Sequence, residues 1–257
     1  MKWIATFLLS ASAIALFAEP SWSYDETPVA NGATLSGRVL FQGTPPPPRP
    51  YGLIVYPDIE ICEKISDGQG HRLLHDFTVA KGGGFQNVVV VVEEVLKGKP
   101  FHLADPRISA RTCEFKPFMS VVRDGRPLSV QNGDSIIHDI QTYAIRDNKR
   151  GDRIFDRAAL GNSTMTETVL LPKDQRVVWI QCGKHSFMQS WAYAVNNPYY
   201  AITGPGGAFL ISDLPPGRYR VTAWHPFMKL REMTVEVAAG EAKTVQFEFG
   251  KRAGEAD

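Results

Sequence analysis

The sequence predicts an all-β chain, and two observations carry that expectation. Short apolar runs rich in valine, isoleucine and aromatic residues recur along the 257 residues, and eighteen prolines and twenty-two glycines punctuate them where helices would need to continue. With 44% apolar residues the chain can bury a sizeable core in one or two domains. The 28 basic residues balance 27 acidic ones, and no basic stripe interleaved with aromatics appears, so nucleic acid is not an expected partner.

Taken in order, residues 1–23 read as an export signal. Lys2 supplies the positive start, Ile4 to Phe17 a short apolar stretch, and Ser21-Trp22-Ser23 small residues for cleavage before Tyr24. The apolar stretch is too short for a comfortable membrane span. A soluble mature chain, periplasmic or secreted, is expected, with an uncleaved N-terminal anchor as the alternative.

Thr34 to Phe41 reads as a first strand, and the proline stretch Pro45 to Pro50 as an extended connector, because proline fixes φ and removes an amide donor. Leu53 to Tyr56 and Phe77 to Ala80 read as strands, and Gly82-Gly83-Gly84 as a turn that lacks the lysine and following helix of a phosphate loop. Val88 to Val92 is apolar without alternation, which predicts a strand buried on both faces. His71 and His75 would share a face only on a helix, and their glycine-rich context argues for ordinary surface histidines; His102 carries no signal.

Further strands are expected at Phe118 to Arg123 and Leu128 to Gln131, joined by a hairpin-like Asp124-Gly125 turn. The charged stretch Arg146 to Arg153 reads as a solvated loop. Val177 to Gln181 then reads as a buried strand that delivers Cys182, His185 and Met188 into one tight loop, and Trp191 to Val195 leaves it.

A thiolate, an imidazole and a weak thioether are the donor types of a blue-copper electron-transfer centre, provided a second histidine joins them. His138 is the candidate, following Asn132-x-Asp134 after a strand-like run. The alternative is a free cysteine packed as a small hydrophobe beside an incidental histidine.

A strand ending in Asn132-x-Asp134, a histidine soon after, and a second strand ending in Cys182-x-x-His185-x-x-Met188 together resemble the cupredoxin family over residues 105–197. The ligand-loop spacing is most similar to its short-loop, amicyanin-like members. That resemblance implies a Greek-key β-sandwich and one type 1 copper held by His138, Cys182 and His185, with Met188 as the long axial ligand. It also implies a one-electron carrier that is not an enzyme, whose partners are redox proteins such as a c-type cytochrome or a periplasmic dehydrogenase. The short loop implies that His185 lies near the surface as the electron's exit. Two positions depart from the family pattern. Asp139 stands where asparagine is usual and Gly183 where serine or threonine is usual, so the side-chain tie between them cannot form in the usual way. Ser186 replaces a usual proline.

If Cys182 holds copper, Cys62 and Cys113 are left free to pair in an oxidising compartment. Such a bridge would stabilise the fold by about 4 kcal/mol on a chain-entropy argument. Two separate buried thiols are the alternative.

Beyond Pro198 the character changes. Thr203 to Phe209 and then Pro215-Pro216-Gly217-Arg218-Tyr219 resemble the carboxypeptidase regulatory-like, transthyretin-like β-sandwich. Its usual opening strand is missing here but stands upstream as Gly37-Arg38-Val39. The resemblance implies a cupredoxin-like block, 105–197, inserted into a second sandwich built from 33–104 and 198–250. Trp224-His225-Pro226-Phe227-Met228 contains a further histidine and methionine, read as a structural cluster at a strand end. The functional expectation is an exported copper electron carrier. Its alternatives are a copper chaperone or store without redox turnover, and a metal-free sandwich scaffold.

Overall fold

The computed structural model describes residues 24–146 and 149–250; the expected export signal, 1–23, lies outside them. The chain is all-β, and among the described residues the only α-helix is the single turn Ile59–Cys62. Strands of one sandwich come from both ends of the sequence. Tyr200–Ile202, Val89–Val92, Gly217–Trp224 and Arg231–Val237 form an antiparallel sheet in that order. Opposite it, Ala33–Gln42 pairs antiparallel with Ala208–Leu214 and parallel with Ala242–Gly250. Leu35, Val39, Val90, Val221, Val235 and Phe247 fill the space between the two sheets.

The second sandwich is built from the middle of the chain. One sheet runs Ser163–Val169, Arg126–Asn132, Arg107–Arg111, Glu114–Lys116, and the other runs Lys149–Ala159, His138–Arg146, Val177–Cys182, Gln189–Ala194, Met119–Val122. Ile108, Leu128 and Val130 from the first face Ile140, Val178, Ile180 and Ala192 from the second.

A third apolar layer joins the two sandwiches. Val90 and Val92 point into the first core, while Val89 and Val91 point the other way, onto Met119, Val121, Trp191, Tyr193 and Trp224. This double burial is what the unalternated valine run predicts, and all four strand residues are fully buried. Beside the layer, Glu93 receives Arg176 Nη1 at 2.7 and 2.9 Å and Thr222 Oγ1 at 2.8 Å. A buried charge tied from both sandwiches fixes their register, because either partner alone would be left desolvated and unpaired.

Four local expectations are corrected. The Asp124-Gly125 turn does not close a hairpin: Met119–Val122 pairs parallel with Gln189–Ala194, while Arg126–Asn132 lies in the opposite sheet. The turn therefore crosses the sandwich, because Met119–Val122 is buried on both faces and belongs between the two cores. Residues on both sides of Asp147 and Asn148 are strands rather than a loop. Their charges mark an edge strand, Lys149–Ala159, whose exposed positions need no apolar alternation. Leu53–Val55 is a 3₁₀ turn instead of a strand, with Leu53 buried and Ile54 and Val55 exposed. Phe77 to Ala80 makes only the isolated bridge Val79–Phe85.

The segment 49–74 holds a short hairpin, Arg49–Gly52 with His71–Leu74, and the helical turns between them. Leu53 and Cys62 from this segment, with Tyr51, Tyr56, Ile59 and Ile61 around them, pack on the core of the second sandwich. It forms a cap over one end of that sandwich.

Candidate metal centre

The loop Asn132 to His138 is held by its own side chains. Asn132 Nδ2 donates to Ile136 O at 2.8 Å and to Ala159 O at 3.0 Å, and Asn132 Oδ1 accepts from Asp134 N at 3.0 Å. This places the Asp134 carboxylate under the turn at Thr112 and Cys113. Both of those residues adopt positive φ, 51° and 52°, which aims their N–H groups at one acceptor. Thr112 N and Cys113 N each donate to an Asp134 oxygen, the latter at 2.9 Å. Left-handed backbone at two non-glycine residues is costly, and a buried carboxylate with two amide donors offsets it.

Asp134 Oδ2 also accepts from His138 Nε2 at 2.9 Å. Burial would raise the Asp134 carboxyl, but hydrogen bonds from Cys113 N, His138 and Thr112 N hold it below its ordinary value, so it remains an anionic acceptor. The proton of His138 therefore sits on Nε2, and Nδ1 presents a lone pair.

His185 repeats the arrangement with a different partner. Its Nε2 donates to Pro57 O at 3.1 Å, with Asp58 Oδ2 at 3.7 Å. Burial lowers the imidazole's basicity, so the neutral ring again offers Nδ1. The two rings meet edge to face at 5.4 Å. Between them lies the free thiol Cys182, its Sγ 3.8 Å from His138 Nδ1 and 3.6 Å from His185 Nδ1. Burial pushes the Cys182 thiol up, a cost that a cation bound to the thiolate would remove.

The structure brings together His138, Cys182 and His185, all fully buried, with ligand atoms within 4.8 Å of one another. Two imidazole nitrogens carrying lone pairs and one thiol fit a soft or borderline transition metal, copper among them. Met188 sits on the same loop and in the same core, 1% exposed. The loop closes on itself, with Met188 N donating to His185 O at 2.8 Å and Cys182 N to Met188 O at 3.1 Å. Cys113, Asp134 and His138 also cluster, but the Cys113 sulfur is bonded to Cys62 and cannot be a thiolate ligand.

The expected exposure of His185 is corrected: the ring is fully buried. Tyr56 and Pro57 of the cap cover it, Tyr56 Oη lying 2.7 Å from Ser186 Oγ and the Tyr56 ring packing edge-on to Phe187 at 4.9 Å. Ser186 therefore serves as the cap's anchor where a proline could not. Nothing in the local sequence announces this, since the partners lie 130 residues apart. The Cys62–Cys113 disulfide ties the cap to the turn that holds Asp134. Asp134 itself was visible in the sequence only as part of the Asn132-x-Asp134 pattern.

At the other departure, the backbone supplies the tie that side chains do not: Gly183 N donates to Asp139 O at 2.8 Å. The Asp139 carboxyl lies over Gly183, where a Cβ would come within 2.2 Å of Oδ2 and 2.5 Å of Gln141 Nε2. His71, His75 and His102 take no part in the centre. His71 lies at a strand start 3.5 Å from Asp67, and His225 is buried among Phe77, Phe85, Phe118 and Phe227.

No protein-family model matches the chain, and no curated protein does. Among solved structures it is similar to a purple cupredoxin from Nitrosopumilus maritimus, at 16% identity over 35% of this chain and 100% of that one, TM-score 0.29. A copper-containing nitrite reductase from Thermus scotoductus matches at 14% over 38% of this chain and 24% of that one, TM-score 0.29. Amicyanin from Paracoccus versutus matches at 12% over 41% and 97%, TM-score 0.29.

Proposed function

We propose that the chain is an exported type 1 copper protein that carries single electrons between redox proteins. The observation that carries this reading is the convergence of His138 Nδ1 and His185 Nδ1 on Cys182 Sγ, with both Nε2 atoms committed to other acceptors. Copper held there would supply one-electron exchange between Cu(I) and Cu(II), for which two imidazoles, a thiolate and the weak thioether that Met188 would offer suit both states. The chain's own contribution is rigidity. Asp134 fixes the His138 ring, the Pro57 carbonyl fixes the His185 ring, and the cap excludes water. We further propose that residues 105–197 are a cupredoxin-like domain inserted into a regulatory-like sandwich, and that residues 1–23 direct export.

Use of Cys182 as a nucleophile is disfavoured, since a reactive thiol needs exposure and a lowered pKa, whereas Cys182 is fully buried and burial raises it. A second reading, copper storage without redox turnover, is favoured by the complete burial of His185 under the cap. Titration of the mature chain with Cu(II), followed by visible absorption, tests the first reading. One copper per chain and an intense thiolate charge-transfer band, lost in Cys182→Ala, are expected. Reversible redox cycling of that band separates carrier from store, and a chain that takes up no stoichiometric copper would leave only the metal-free scaffold.

A further inference from the structure

Where the two sandwiches diverge, the outer face of the cysteine strand is left partly uncovered and forms one wall of a cleft of about 390 Å³. Trp179 and Trp191, direct cross-strand partners, lie stacked at 5.8 Å with 16° between their planes. Trp224 and Phe227, from the other sandwich, stand edge-on to Trp191 at 6.5 and 5.8 Å. Arg49 and Arg150 also line the cleft, and no acidic side chain among the described residues does. The Trp179 and Trp191 indole N–H groups are buried and donate to nothing among the described residues. Buried indole N–H groups ordinarily find an acceptor.

A cleft at the junction of the two sandwiches, walled by aromatic rings and carrying arginine side chains, is complementary to a flat, electron-rich anion. We propose that this cleft binds a small planar aromatic carboxylate, its ring against Trp179 and Trp191 and its carboxylate toward Arg150. The Arg150 guanidinium lies over the Tyr143 ring at 4.9 Å and is exposed, whereas Arg49 is already paired with Asp76. Arg150 is therefore the cation that discriminates charge. Polyanions and acidic protein surfaces are poor alternatives, because the lining is mostly aromatic, apolar and neutral polar rather than a cationic face.

The test uses the full mature chain without metal, so that it stands apart from the copper reading. Calorimetric titrations would compare 2-naphthoate, the uncharged 2-naphthalenemethanol and the non-aromatic cyclohexanecarboxylate. Saturable binding of one 2-naphthoate per chain is expected, at least about tenfold tighter than either control. Arg150→Gln, on an exposed edge strand, should bring 2-naphthoate down to the level of the alcohol, and Trp179→Leu should weaken both aromatic probes. Unfolding midpoints of both variants would verify that the fold is kept. No saturable heat at millimolar probe, equal affinity for all three probes, or affinity indifferent to Arg150→Gln would overturn the proposal.

Discussion

At the scale of single residues, what a side chain does in this centre depends on which of its atoms is already spoken for. His138 and His185 are equivalent in their approach to Cys182, but one is held by a carboxylate and the other by a peptide carbonyl. Met188, if it is the fourth ligand as proposed, differs from both, because a thioether is a weak donor that tunes more than it retains. Met188→Gln should keep copper bound while lowering the reduction potential, since a harder oxygen favours Cu(II). Voltammetry of the loaded protein decides it, and an unchanged potential with copper retained would remove Met188 from the ligand set.

Gly183 offers a second residue-scale test. Because a Cβ there would fall 2.2 Å from Asp139 Oδ2, Gly183→Ala should destabilise the metal-free protein by about 1–3 kcal/mol through overpacking. Asp139→Ala removes the obstructing carboxyl, so the double variant should lose less than the sum of the singles, with a coupling of about 1 kcal/mol or more in urea denaturation. Strict additivity would show that the loop, not Asp139, sets the limit.

Elements differ in how much of themselves they display in sequence. The convergence of His138, Cys182 and His185 was legible because each lies in a local pattern at a strand end, and a strand end is where a sandwich presents side chains to a rim. The double-faced burial of Val89–Val92 was legible from its composition alone. The cap was not. Leu53-Ile54-Val55 has the composition of a strand, yet it forms a 3₁₀ turn, and Pro57 just beyond it supplies the carbonyl that holds His185. The Lys149–Ala159 strand was hidden for the opposite reason, its charges being those of an exposed edge.

The cap also carries a prediction. Cys62 and Cys113 lie 51 residues apart in sequence, so removing the bridge in a Cys62→Ala/Cys113→Ala variant should cost about 4 kcal/mol of stability. Because the bridge joins the cap to the turn that positions Asp134, loss of copper to an excess of chelator should also be faster than in the parent. A variant that loses stability but releases copper at the parental rate would mean that the cap stays closed without its tether.

On the scale of the whole molecule, the two sandwiches behave as one unit only if the apolar contact made through Phe118 stays dry. His225 is the test of that. It comes from the strand end of the first sandwich and packs against Phe85 at 4.5 Å, Phe77 at 5.6 Å and, across the junction, Phe118 at 6.0 Å. Its Nδ1 is approached by Phe227 N at 3.5 Å and its Nε2 has no partner among the described residues. Burial without a counter-charge therefore lowers its pKa from 6.5 to about 3. Well above pH 6.5 the ring is neutral whether the chain is folded or not, and contributes no pH dependence. As pH falls below 6.5 the unfolded chain takes up a proton that the folded chain refuses until about pH 3, so stability drops across that window. By pH 4 this group alone should cost about 3 kcal/mol relative to pH 8. His225→Phe keeps an aromatic ring in the cage and removes the proton site. The difference in unfolding free energy between variant and parent, measured by urea denaturation at both pH values, should shift toward the variant by that amount at pH 4. A difference that stays constant with pH would mean that the junction opens enough to let His225 ionise in place, and that the two sandwiches are not locked together as their shared apolar layer implies.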